Sequence, residues 1–427
     1  MAIIQPFHGL RPAPEFAASI AALPYDVYNR SEAKKIVAAN PLSFLKIDRA
    51  ETQFPDTTDL YAPEVYIRAK DTLQEMTRDG FFIRDDSACF YLYALTMNGQ
   101  TQTGIVGCAS IDDYRNNIIR KHENTRAEKE ADRISHVDVT SAQTGPIFLT
   151  YRPEKRLALL IREIRQAPSL YDFTCDDHVR HQVWKISESE KIRTICSIFS
   201  EIDSIYIADG HHRAASAVKV GLKRREEHPE YTGKEEFNYF LSVLFPADEL
   251  RIYDYNRVVD DLNGYTLDTL LTQIEKDFIV EKTGVFRRPQ KKGEFALYGK
   301  KNWYSLKVRS HLFTSDPVDS LDVSILQDHI LSPLLGIQDP KTDSRIHFVG
   351  GIRGIEELVR MADAPADIDL KNASSDGTSS ERIAFAMYPT SMNELLTVAD
   401  AGRLMPPKST WFEPKLRSGL LIHEIER

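Results

Sequence analysis

The stretch Ile205 to Ala215, IYIADGHHRAA, constrains the fold of this chain more than any other. Ser204 to Ala208 is a compact β-like run, Asp209-Gly210 breaks it, and Ala214 to Val220 reads as a helix closed by Gly221. Upstream, Ile192, Ile195, Cys196 and Phe199 keep helical spacing over 190–200, and downstream Phe237 to Phe245 is an apolar strand candidate. A helix–strand–turn–helix–strand order predicts a mixed α/β unit in the middle of the chain.

The flanks extend that pattern. Ala21 to Asn29 reads as a short β-like segment between turn signals, and Ser31 can cap a helix that Pro41 stops. Pro63 to Arg78 is a stronger helix, with Val65, Ala69, Leu73 and Met76 on one face and Asp79-Gly80 at its end. Residues 88–97 and 103–111 are rich in β-branched and aromatic types around Asn98-Gly99, the signature of a tight hairpin. Thr125 and Glu128 fit a capping box for a charged helix from about Arg126 to Ile134. Lys371 to Ser380 is of low complexity and reads as a mobile surface loop. The segment 405–414 is proline-rich and irregular, yet apolar enough to pack.

Composition narrows the function. Of 427 residues, 54 are Lys or Arg and 63 are Asp or Glu, so the net charge is −9. That balance argues against a protein that tracks the nucleic-acid backbone, whose affinity comes from clustered positive charge. Neither a signal peptide nor a run long enough to span a bilayer is evident, so no membrane partner is expected and the reading is cytoplasmic. The four cysteines form no Cys-x-x-Cys pair, which leaves a thiolate zinc site or a disulfide framework without support.

The chemistry concentrates in three places. At the central turn, Gly210 permits tight backbone geometry, and the following helix start attracts anions. His211, His212 and Arg213 add donors there, and Asp209 is placed to bind Mg²⁺ or to hold a hydroxyl. The alternative is that Asp209 caps the helix while the histidines pack or face water. Adjacent helical residues point about 100° apart, so His211 and His212 rarely reach one ion together. His178 and His181, near Asp176 and Asp177, are better spaced but read as surface residues. In the second place, His122-Glu123 precedes the charged helix, and a carboxylate in a turn beside cations suits a general base. In the third, Lys408, Ser409, Thr410 and Lys415 lie in a proline-stiffened segment whose lysines either close over a phosphorylated ligand or stay solvated. Tyr25 and Asp26, with His122 and Thr125, are candidates for holding an acceptor. The standard phosphate loop, the dinucleotide fingerprint, His-Glu-x-x-His and the protein-kinase motif set are all absent.

Residues 208–213, after a strand and before a helix, resemble the signature turn of the ParB/sulfiredoxin fold, in which that turn binds nucleotide phosphates. The free-serine kinases of that fold are similar in carrying an Asp-Gly-His-His-Arg turn. Sulfiredoxins place a cysteine where this chain has His211 or His212. Along most of its length the chain also resembles a prokaryotic domain-of-unknown-function family, through PYDVYN at 24–29, NPLSFLKIDRAE at 40–51, HENTRAEKEADR at 122–133, ADGHHRAASA at 208–217 and MPPKSTWFEPK at 405–415. Members of that family are linked to ATP-dependent phosphorylation of free L-serine.

The resemblance implies an α+β fold with a ParB/sulfiredoxin-like core over 151–260, an N-terminal region over 1–150 that contributes to the site, and a C-terminal α/β region over 261–427. It implies a phosphoryl transfer from ATP, or ADP, to the L-serine hydroxyl with Mg²⁺. Glu123, Asp209 and His211 would be catalytic, Asp209 would also hold the metal, and Gly210, His212, Arg213 and Lys408 would hold the nucleotide. A non-catalytic nucleotide-binding regulator is the alternative, and either role is compatible with a homodimer.

Overall fold

A computed structural model describes residues 1–125, 127–364 and 381–426. The low-complexity stretch 371–380 and Arg126, the expected start of the charged helix, lie outside the described residues. The chain divides into two compact units, Met1–Leu250 with Pro414–Arg427, and Arg251–Glu413. The division comes at 250, ten residues before the expected 260, and the last residues of the chain belong to the first unit.

In the first unit, the larger sheet has nine strands among the described residues. Its path runs from Ile119–Arg120 through Ile205–Asp209, Ile147–Tyr151, Tyr239–Pro246, Gln100–Ser110, Phe90–Met97 and Arg180–Ile186 to Tyr171–Thr174, with Ile4–Gln5 paired to Gln100–Ser110. Parallel and antiparallel pairs alternate near the site: Ile205–Asp209 is parallel to Ile119–Arg120 and antiparallel to Ile147–Tyr151. The mixed α+β class expected from sequence is what the chain adopts. The hairpin closes with Met97 opposite Gln100, and Asn98 and Gly99 both take positive φ, 51° and 73°. Those angles match the right-handed twist of the flanking strands, which is why Asn-Gly works there.

The central unit takes shape because Ile205, Tyr206, Ile207 and Ala208 are all buried, so both faces of that strand are covered. Leu157 and Ile161 of Lys155–Ile164, Ile195 and Phe199 of Ser189–Ser200, and Ala214, Ala217 and Val218 of His211–Glu227 belong to the same apolar core as Ile205 and Ile207. Each large aliphatic side chain buried this way contributes about 1.5–3 kcal/mol.

Three local expectations need correction. The helix after the turn does not stop at Gly221 but runs from His211 to Glu227. Gly221 is buried inside it, where a side chain would run into the Phe237 carbonyl and Ile111, so this glycine serves close packing rather than termination. The helix near the N-terminus is Arg30–Ala39, capped by Asn29 in a reciprocal box with Glu32 rather than by Ser31. Residues 24–29 form turns and bends instead of a strand.

The second unit holds a six-stranded antiparallel sheet among the described residues, ordered Phe278–Lys282, Asn302–Val308, Glu294–Gly299, Ile383–Ala386, Tyr255–Val259 and Ile346–Gly350. Trp411–Phe412 pairs with Ile252–Tyr253, so part of the supposedly irregular 405–414 segment is a strand. No helix among the described residues is long and apolar enough to cross a membrane.

Candidate functional site

The strand Ile205–Asp209 delivers Asp209 to its C-terminal end, and Gly210 then turns the chain with φ 94° into the helix His211–Glu227. Most side chains pay about 1–2 kcal/mol to adopt that left-handed conformation, and glycine does not. A Cβ on Gly210 would also lie 3.0–3.2 Å from the Arg213 guanidinium, which folds back over the turn. No side chain caps this helix. Asp209 is therefore not the helix cap allowed by sequence; its Oδ1 accepts from the Gly210 amide at 2.8 Å.

Lys415 donates from Nζ to Asp209 Oδ2 at 3.0 Å across 206 residues of sequence. Burial disfavours the Asp209 carboxylate, but Lys415, Arg213 and the Gly210 amide outweigh that and hold it well below the usual carboxylate range. Asp209 is thus a fixed anion and a poor proton acceptor. Arg213 donates to the Pro146 carbonyl at 2.6 Å, which ties the guanidinium to the loop before the strand Ile147–Tyr151.

Tyr25, Asp26, Glu123, Asp209, Gly210, His211, His212 and Arg213 line one cavity of about 50 Å³. Eight residues singled out in sequence, from three separate segments, are thereby brought together. The volume suits a phosphoryl group rather than a whole nucleotide. Tyr25 and Asp26 also border a larger cleft of about 230 Å³, lined further by Asp48, Arg49, Glu51, Lys129, Asp132 and Arg133. Arg49 is spent on structure: it donates to Glu51 at 2.6 Å and to the carbonyls of Tyr25 and Tyr28 at 2.9 and 2.5 Å, fixing the 24–29 turn. Arg133 stacks its guanidinium 4.0 Å from the Tyr25 ring centre and pairs with Asp132. Burial raises the Tyr25 hydroxyl well above its ordinary value, so that group stays neutral and can donate.

His122 does not line the small cavity. It is 2% exposed and meets His211, 5% exposed, edge to face with ring centres 4.5 Å apart. Burial pushes His122 down to about 4, against the opposing pull of the Ile207 carbonyl and Asp209. Burial and then the neighbouring His122 push His211 well below its ordinary value. Both rings are neutral near pH 7. A carboxylate oxygen of Glu123 lies 4.0 Å from His211 Nδ1.

Nor do Thr125 and Lys408 line the small cavity. Thr125 gives its hydroxyl to Glu130 at 2.6 Å, and Glu130, buried on the helix Ala127–Thr140, also pairs with Lys219. Lys408 belongs to the second unit, where Arg257 donates to its carbonyl at 3.1 Å and its ammonium lies 5.6 Å from the Tyr255 ring centre. The Trp411–Phe412 pairing holds that segment within the second unit, whereas Lys415 belongs to the first unit and reaches the turn.

The sequence reading missed Asp48 and its neighbours. Thr144 donates to Asp48 at 2.7 Å, with buried His136 beside it. Only the 40–51 motif hinted at this cluster, because its members are about 90 residues apart.

Among solved structures, the chain is similar to SbnI with a C-terminal truncation from Staphylococcus aureus, at 10% identity over 72% of this chain and 82% of that one, with a TM-score of 0.35. A free serine kinase in complex with AMP matches at 14% identity over 72% and 86%, with a TM-score of 0.33. A conserved hypothetical protein from Pyrococcus furiosus matches at 13% identity over 74% and 93%, with a TM-score of 0.34. No curated protein matches the chain. Over residues 4–324 the chain matches, and so belongs to, the family described as protein of unknown function (DUF1015).

Proposed function

We propose that this protein transfers a phosphoryl group from ATP, or ADP, to the hydroxyl of a small metabolite, with free L-serine as the acceptor. The observation that carries the reading is the small cavity itself. It combines an uncapped helix N-terminus with a left-handed glycine, Arg213 and a ring of carboxylates. Helix N–H groups and a guanidinium favour phosphate oxygens, and the same donors stabilise charge that spreads over them during transfer. Because the cavity is too small for a nucleotide, only the transferring group would enter it, with the rest of each substrate outside.

Asp26, Glu123 and Asp209 supply hard oxygen donors around that cavity, a donor set that fits Mg²⁺. Asp209 would hold the ion. Each of its oxygens keeps a lone pair beyond the Gly210 and Lys415 contacts. Bound Mg²⁺ would offset negative charge on the phosphoryl oxygens. Glu123, not the strongly acidic Asp209, is then the group to accept the hydroxyl proton. The neighbouring cleft carries both signs of charge, Asp48, Glu51 and Asp132 against Lys129 and Arg133, which suits an amino acid with its ammonium and carboxylate.

The test is to incubate the purified chain with ATP or ADP, Mg²⁺ and a panel of hydroxylated metabolites, then seek phosphorylated product by mass. A product confined to L-serine is expected. Nucleotide binding with no product from any acceptor would favour the regulatory alternative.

A further inference from the structure

We propose that His122, Glu123 and His211 form a site for a divalent transition-metal ion that prefers nitrogen ligands, of the Zn²⁺, Fe²⁺ or Co²⁺ kind. One ring nitrogen from each histidine and one carboxylate oxygen lie within 4.8 Å of one another. Two imidazoles and a carboxylate are a donor set used for such ions, with the remaining positions open to water or substrate. Mg²⁺ prefers oxygen donors and would not choose it.

The unpaired state of the rings is the independent sign. Both nitrogens of His122 and Nε2 of His211 are buried without a well-formed hydrogen bond among the described residues. Buried polar atoms nearly always have partners, and such atoms on two buried rings in edge-to-face contact call for an explanation. Plain packing of two histidines gives none, since apolar rings would fill the same space without stranded polar groups.

A second cluster, Cys175, Asp177 and His181, has similar spacing but already holds a cation of its own. Arg417 donates to His181 at 3.2 Å and pairs with Asp177, while Tyr93 meets the other His181 nitrogen at 2.7 Å.

The proposed site adjoins the phosphoryl cavity, because Glu123 and His211 line both. Metal uptake is measured without any turnover, so failure of the serine-kinase reading would leave this proposal standing, and the converse holds.

The experiment titrates the metal-free, full-length chain with CoCl₂, following visible absorption and the Co²⁺ content after gel filtration. One Co²⁺ per chain is expected, with visible ligand-field bands that persist in a hundredfold excess of MgCl₂. Loss even of a group behind a metal ligand weakens binding by roughly 10–100-fold, so His122→Gln and His211→Gln should each do at least that. Glu123→Gln should shift the bands, and exposed His228→Gln should leave them unchanged. Should either histidine variant fail to fold, the wild-type titration and Glu123→Gln still decide. A folded wild-type chain that takes up no Co²⁺, releases it to Mg²⁺, or gives bands unchanged in Glu123→Gln would overturn the proposal.

Discussion

Replacing Gly210 by alanine tests how the central turn is built. The backbone there has φ 94°, which costs an alanine about 1–2 kcal/mol. The new Cβ would also sit 3.0–3.2 Å from three guanidinium atoms of Arg213, which must move. Arg213 is held by a 2.6 Å hydrogen bond to the Pro146 carbonyl, and a bond to a charged group contributes about 1.5–3 kcal/mol. Partial loss of that bond on top of the backbone cost gives an expected destabilisation of about 2–4 kcal/mol. In an Arg213→Ala background the clash disappears and only the backbone cost of about 1–2 kcal/mol remains. At about 2–4 °C per kcal/mol for a domain of this size, Gly210→Ala alone lowers the melting temperature by roughly 4–16 °C. Trp184 lies in the first unit and Trp303 and Trp411 in the second, so fluorescence in a Trp303→Phe/Trp411→Phe background reports the unit that carries the turn. An equal loss in both backgrounds would refute the close approach of Arg213, and no loss at all would refute the left-handed turn.

Other predictions follow from the same contacts. Lys415→Met should cost about 1 kcal/mol at pH 7, a modest value because the Asp209 side chain is 36% exposed and its ion pair partly screened. Since folding lowers the Asp209 pKa, this contribution is complete above the unfolded value of about 4 and disappears as pH falls below it, so urea midpoints of wild type and variant should converge in acid. Glu123→Gln should leave nucleotide affinity unchanged while turnover falls by roughly 10²–10⁴-fold, whereas Arg213→Ala should weaken both, as calorimetry and steady-state kinetics would reveal. With a net charge of −9, the chain should give no salt-sensitive complex with duplex DNA in a gel shift at physiological salt.

The parts of this molecule legible in its sequence are those encoded locally. Asn98-Gly99 specified a hairpin because two adjacent residues must both tolerate positive φ. Asp209-Gly210 specified the strand-to-helix turn for a similar reason. Gly221 misled because a glycine selected for close packing and one that ends a helix look alike until the Phe237 carbonyl is seen above it. Asn29 and Ser31 are both good caps, and only the reciprocal bond with Glu32 separates them. Long-range partnerships were out of reach. Nothing local marks Lys415 as the partner of Asp209 or distinguishes it from Lys408, which packs within the other unit. The pairing of His122 with His211 is equally hidden, because the two lie far apart in sequence while His211 has His212 as its neighbour.

The most direct test of phosphoryl transfer at the 209–213 turn follows the label from γ-³²P-ATP, or β-³²P-ADP, in the presence of Mg²⁺ and L-serine. The label should appear in O-phosphoserine with wild-type protein and drop by roughly 10²–10⁴-fold with Glu123→Gln. Label that remains in the nucleotide, or that reaches serine equally well with Glu123→Gln and Arg213→Ala, would contradict it.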